Sequence, residues 1–87
     1  MEDIILFSQS AFKHGVTEAD ILKAFDTKKY DAALDGEGLD DKYLLIGFDI
    51  SANLIEVMYN AIENDTVRVF HAMKCRKIYI GLLDSRE

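Results

Sequence analysis

The sequence predicts an α+β domain. The expected order is an N-terminal strand and two helices, then a 3–4-stranded antiparallel meander and a C-terminal amphipathic helix. Three observations predict it. Between Tyr43 and His71, three stretches rich in β-forming residues are separated by turn residues at intervals of about a dozen positions. Thr17-Glu18-Ala19-Asp20 carries helix-start chemistry ahead of Ile21, Leu22 and Phe25. Cys75, Ile78, Tyr79, Leu82 and Leu83 recur at the spacing of one helical stripe. With one sheet and a few helices, the helices are expected to pack on one sheet face.

In chain order, Ile4 to Phe7 is a short apolar run with a β-branched start, expected as a buried strand. Ser8 is placed to cap a short helix through His14, which Gly15 ends in a left-handed conformation. Thr17 opens the second helix, with Glu18 and Asp20 at its positive pole. Val16 and Ile21 are spaced to form a hydrophobic staple. Tyr30 to Leu34 reads as a weak edge strand, and Asp31 to Asp41 as a glycine-containing acidic loop. Tyr43–Asp49, Leu54–Asn60 and Thr66–His71 form the meander, turned by Ser51-Ala52-Asn53 and Glu63-Asn64-Asp65. The final helix sets its apolar stripe against Lys74, Arg76 and Lys77 on the opposite face.

Composition narrows the function. A chain of 87 residues leaves room for one domain. One cysteine excludes an internal disulfide framework and a multi-cysteine zinc site. Neither histidine has metal-ligand spacing, so no metal or cofactor is expected. The longest apolar run, Tyr43 to Phe48, is too short to span a bilayer, and the start is acidic, so a cytoplasmic protein without membrane contact is expected. The net charge of −6 opposes nonspecific coating by nucleic acid. That charge is uneven, however. Residues 31–65 carry nine acids and one base, whereas residues 66–87 carry two acids and five bases.

The chemistry therefore concentrates in the basic quarter. His71 ends a strand and is followed by Lys74, Arg76 and Lys77, with Arg68 just before it. An imidazole exchanges protons near neutral pH, and neighbouring cations can stabilise a charged phosphoryl group. Cleavage of RNA by its own 2′-hydroxyl needs those two roles. The competing interpretation makes His71 a core histidine, on the same strand face as Val67 and Val69, and the cations a solvated surface. His14, after Lys13, suits the negative end of its helix as a cap. Functionally, His14 or Lys13 would join His71 as a second proton-transfer or phosphate-binding group. Cys75 and the tyrosines are expected in the core.

Four pieces then carry a family resemblance: Lys13-His14-Gly15-Val16-Thr17, Tyr43-Leu44-Leu45-Ile46-Gly47, Leu54-Ile55-Glu56-Val57 and Val69-Phe70-His71-Ala72. In this order, across roughly residues 10 to 80, the chain resembles the BrnT-type toxins of type II toxin–antitoxin systems. The resemblance implies a RelE/ParE-like fold and a metal-independent ribonuclease that arrests translation. It also implies a cognate antitoxin encoded by an adjacent gene. BrnT-type sequences commonly follow the last strand with Ser-Ala-Arg, where this chain has His71-Ala72-Met73.

In the toxin reading, His71 is general acid or base, Arg76 and Lys74 stabilise the phosphorane, and His14 assists. Lys13, Arg68 and Lys77 would bind RNA. The alternative is a non-catalytic protein-binding module on the same fold, docking through its acidic region or its basic helix. An acidic DNA mimic fits less well, because the acids sit mostly in one loop. A homo-oligomer stays open.

Overall fold

The computed structural model of the chain describes residues 4–34 and 41–84. Most of the expected acidic loop, residues 35–40, lies outside the described residues. The elements are β1 (Ile4–Phe7), a single 3₁₀ turn (Gln9–Phe12), α1 (Glu18–Asp26), β2 (Tyr30–Ala33), β3 (Lys42–Phe48), β4 (Leu54–Glu63), β5 (Thr66–Lys74) and α2 (Lys77–Asp84). All five strands form one sheet in the order β1-β5-β4-β3-β2. The meander is antiparallel as expected, with β2 paired on its edge. β1 adds to the other edge parallel to β5, making the sheet mixed.

Contrary to the expectation from element order, the helices do not share one sheet face. Strand β3 carries Leu44, Leu45 and Ile46 in succession, and side chains alternate across a strand. Both faces of the sheet are therefore apolar at its centre and both need cover. On one face, α1 and the 3₁₀ turn enclose Ala11, Ile21, Ala24, Leu45, Ile55, Val57, Tyr59, Val69 and Ala72. On the other face, Leu44, Ile46 and Cys75 pack with Tyr79, Leu82 and Leu83 of α2.

Local chemistry sets the elements. Thr17 and Asp20 form a reciprocal capping box at the start of α1. Asp20 Oδ1 also accepts the Ile50 N–H at 3.2 Å, tying the helix to the β3–β4 turn. In that turn Asp49 Oδ1 accepts the Ser51 and Asn53 N–H groups at 2.9 and 2.8 Å. α1 crosses β3 at Gly47, where a Cβ would lie 2.3 Å from the Ala24 carbonyl oxygen. Gly15 is left-handed with φ +85°, as expected.

Three expectations are corrected. The first helix is one 3₁₀ turn that stops at Phe12 and has no Ser8 side-chain cap. It is anchored to the edge of β5, with Ser8 N–H donating to Val69 O and Ser10 Oγ to Phe70 O. Leu22 is exposed, because Ala24 and Phe25 face the sheet with Ile21. Ile78 is 72% exposed, because β5 runs to Lys74 and α2 starts only at Lys77. Cys75, Lys74 and Arg76 thus lie outside the helix, and Ile78 is not in phase with Tyr79, Leu82 and Leu83.

Candidate functional site

The centre of the site is Glu56, the third residue of β4, with no solvent exposure. Its backbone neighbours Ile55 and Val57 face α1, so its own side chain faces α2. A carboxylate buried there needs donors. Two residues from beyond the middle of β5 supply them. Arg76 approaches from the corner between β5 and α2. Its backbone N–H donates to Oε1 at 2.9 Å, its Nε to both oxygens at 3.1 Å, and its Nη2 to Oε2 at 2.6 Å. His71 Nε2 donates to Oε2 at 2.9 Å.

His71 reaches Glu56 because β5 is irregular. Val69 pairs with Tyr59, but Met58 pairs with His71, so Phe70 is an extra residue. Such a bulge shifts the following side chains to the opposite face. His71 therefore does not share a face with Val67 and Val69, as the uninterrupted alternation predicts. It turns away from the α1 core and toward the buried carboxylate. The second histidine also comes into place: the His14 and His71 rings meet edge-on, with centroids 5.6 Å apart.

Burial works to raise the Glu56 carboxyl. The hydrogen bonds from the Arg76 side chain and backbone and from His71, with the Arg76 charge, outweigh it and hold the group below the usual glutamate range. The same contact, opposed by partial desolvation, pushes the Arg76 guanidinium further up. Arg76 keeps 45% of its side chain exposed and lies over the Tyr79 ring, 5.4 Å from its centroid. Burial, with the nearby Glu56 charge, raises the Cys75 thiol, while Arg76 opposes this. That cysteine is a packing residue with little thiolate character.

The remaining candidates separate. Lys74 sits opposite Ile55, and so on the α1 side of the sheet. There it lines an open cavity of about 300 Å³ together with His14, Asp20, Asp49 and Asn53. Lys13 is exposed just before His14, and Lys77 is exposed at the start of α2. Arg68 is exposed opposite Asn60, on the far side of the bulge from His71.

Glu56 is not among the candidate residues read from the sequence. A signal was present: Leu54 and Met58 flank it at ±2, so that face is apolar too. A lone acid in a strand apolar on both faces must be buried and paired. Among the described residues, no group of three or more His, Cys, Asp or Glu side chains is arranged to hold a metal. No described helix is long and apolar enough to cross a membrane. No protein-family model matches the chain, and no curated protein matches it.

Proposed function

We propose that this chain is the toxin of a type II toxin–antitoxin pair, a RelE/ParE-like and BrnT-like endoribonuclease that works without a metal in the cytoplasm. The family part of the reading rests on the ordered resemblance over residues 10 to 80. One observation carries the chemistry: an imidazole oriented by a buried carboxylate and facing a second imidazole.

A carboxylate can only accept, so the proton of neutral His71 sits on Nε2. Its Nδ1 lone pair can then take the proton of a ribose 2′-hydroxyl. The 2′-oxygen attacks the adjacent phosphorus, and the bond from phosphorus to the 5′-oxygen breaks. His14, entering as the imidazolium, delivers a proton to that leaving oxygen. The products are a 2′,3′-cyclic phosphate and a 5′-hydroxyl. The Nη1 edge of Arg76 lies outside its pair with Glu56 and can meet the phosphorane. Lys13, Arg68 and Lys77 would hold the strand on either side.

Induced expression of the wild type, with growth and RNA integrity followed, tests the reading. The wild type is expected to arrest growth and cleave RNA. His71→Ala and His14→Ala should each lose about 10²–10⁴-fold activity while keeping a native circular dichroism spectrum. Equal harmlessness of all three, with no antitoxin bound, would overturn it.

The second reading is a protein-binding module without catalysis. It is favoured by the satisfaction of Arg76 and His71 by Glu56, which staples β4, β5 and the start of α2 internally. A small DNA-binding protein from the adjacent frame that co-purifies, with no cleavage of RNA after its removal, would support this reading.

A further inference from the structure

The cavity beside the histidine pair has a mixed lining that proton transfer does not use. His14 and Lys74 contribute cations or donors, Asp20, Asp49 and Asn53 contribute acceptors, and Ile55 contributes an apolar surface. At about 300 Å³ it suits one small planar ligand. His14 belongs both to this lining and to the pairing with His71, so the cavity and the reacting centre share a wall.

The two carboxylates are held by their own backbone. Asp20 Oδ2 accepts the Thr17 N–H and hydroxyl at 3.0 and 2.9 Å, and Oδ1 accepts Ile50 N–H. Asp49 is used unevenly. Its Oδ1 takes two short backbone bonds, whereas among the described residues its Oδ2 has only the Asn53 amide at 3.5 Å, at the limit of a hydrogen bond. That oxygen is a fixed acceptor with capacity to spare. An acceptor-rich wall repels carbonyl oxygens and phosphates and favours N–H donors. The two basic residues favour a phosphate. A nucleotide whose base carries an exocyclic amino group meets both demands.

We propose that this cavity is the base subsite for the nucleotide on the 5′ side of the cleaved phosphate, and that it selects amino-bearing bases over uracil. The proposal rests on the ribonuclease reading. The amino group of guanine, adenine or cytosine donates to Asp49 Oδ2, with the Asn53 carbonyl oxygen as a second acceptor. The base lies against Ile55. Lys74 offsets the two carboxylates in the cavity, and His14, which also meets His71, receives the 3′-phosphate. Uracil has no exocyclic amino group; its single edge donor, the ring N3–H, is flanked by two carbonyl oxygens that the acceptor-rich wall repels.

Titration of the protein with the four nucleoside 3′-monophosphates, followed by amide chemical shifts, tests the subsite. Uridine 3′-monophosphate is expected to bind about ten- to a hundredfold more weakly than the other three, with shifts at Asp49, Asn53 and Lys74. Asp49→Asn should level the four. The asparagine oxygen still caps the turn, while an amide group replaces the spare acceptor. Lys74→Met should weaken all four alike. Equal binding of all four to the wild type, or shifts confined to other regions, would overturn the subsite whatever the variants do. Ranked binding without RNA cleavage by the wild type would retract the ribonuclease reading and keep the base site. Cleavage without ranked binding would retract the base site alone.

Discussion

Glu56 shows how much one side chain can organise. Its carboxyl is held low in the folded protein, so its ionisation contributes stability above the ordinary glutamate range, near pH 4.3. That contribution disappears as pH falls through its folded value. Asp20, held low chiefly by the Thr17 N–H, acts in the same direction. Wild-type stability in urea should therefore fall steeply below about pH 4.3, and Glu56→Gln should flatten that acid limb. At pH 7 the same variant should cost about 1–3 kcal/mol. The partner guanidinium already reaches water, which keeps the cost below that of a fully enclosed pair. At Cys75, burial and a raised thiol predict slow alkylation in native protein and fast alkylation in denaturant, read by thiol titration.

Among the elements, the crossing of α1 over β3 is the tightest. Gly47→Ala would drive a methyl group into the Ala24 backbone, and the helix would have to lift. A loss of about 1–3 kcal/mol or more is expected in thermal or urea unfolding. Gly81 in α2 is the opposite case, with open space where a Cβ would stand. Gly81→Ala should stabilise by about 0.5–1 kcal/mol. The bulge in β5 is an element-level device for the site. Deleting Phe70 should remove the bulge and leave His71 directly after Val69, still opposite Met58 and beside Glu56, so RNA cleavage should survive in the folded variant. Nuclear Overhauser effects between the His14 and His71 rings should persist in that variant.

Across the whole molecule, the sheet is sandwiched at its centre and thin at its edges. β3, β4 and β5 each have a strand on both sides, while β2 is a four-residue edge. Amides of Leu44–Ile46 and Val57–Tyr59 should exchange only on global unfolding, and those of β2 should exchange sooner. Equal protection of β2 would show that the edge is covered in solution. The acidic and basic parts of the chain also meet in the fold: Asp49 shares a cavity with Lys74. Net charge therefore says little about a local phosphate site here.

Local interactions were legible in the residues themselves. The helix start at Thr17, the left-handed Gly15, the antiparallel meander and its turns follow from neighbours a few positions apart. The basic character of the segment around His71 was equally plain. What the tertiary structure decided depends on long-range pairing. The parallel docking of β1, the placing of α2 on the second face and the extra residue at Phe70 each depend on a distant strand. Glu56 belongs with these. Its burial, its partners Arg76 and His71, and the meeting of His71 with His14 arise only when β4, β5 and the segment after the 3₁₀ turn come together. A side chain's surroundings in a sheet are set by its partner strands and the cover on each face, and neither is local in sequence.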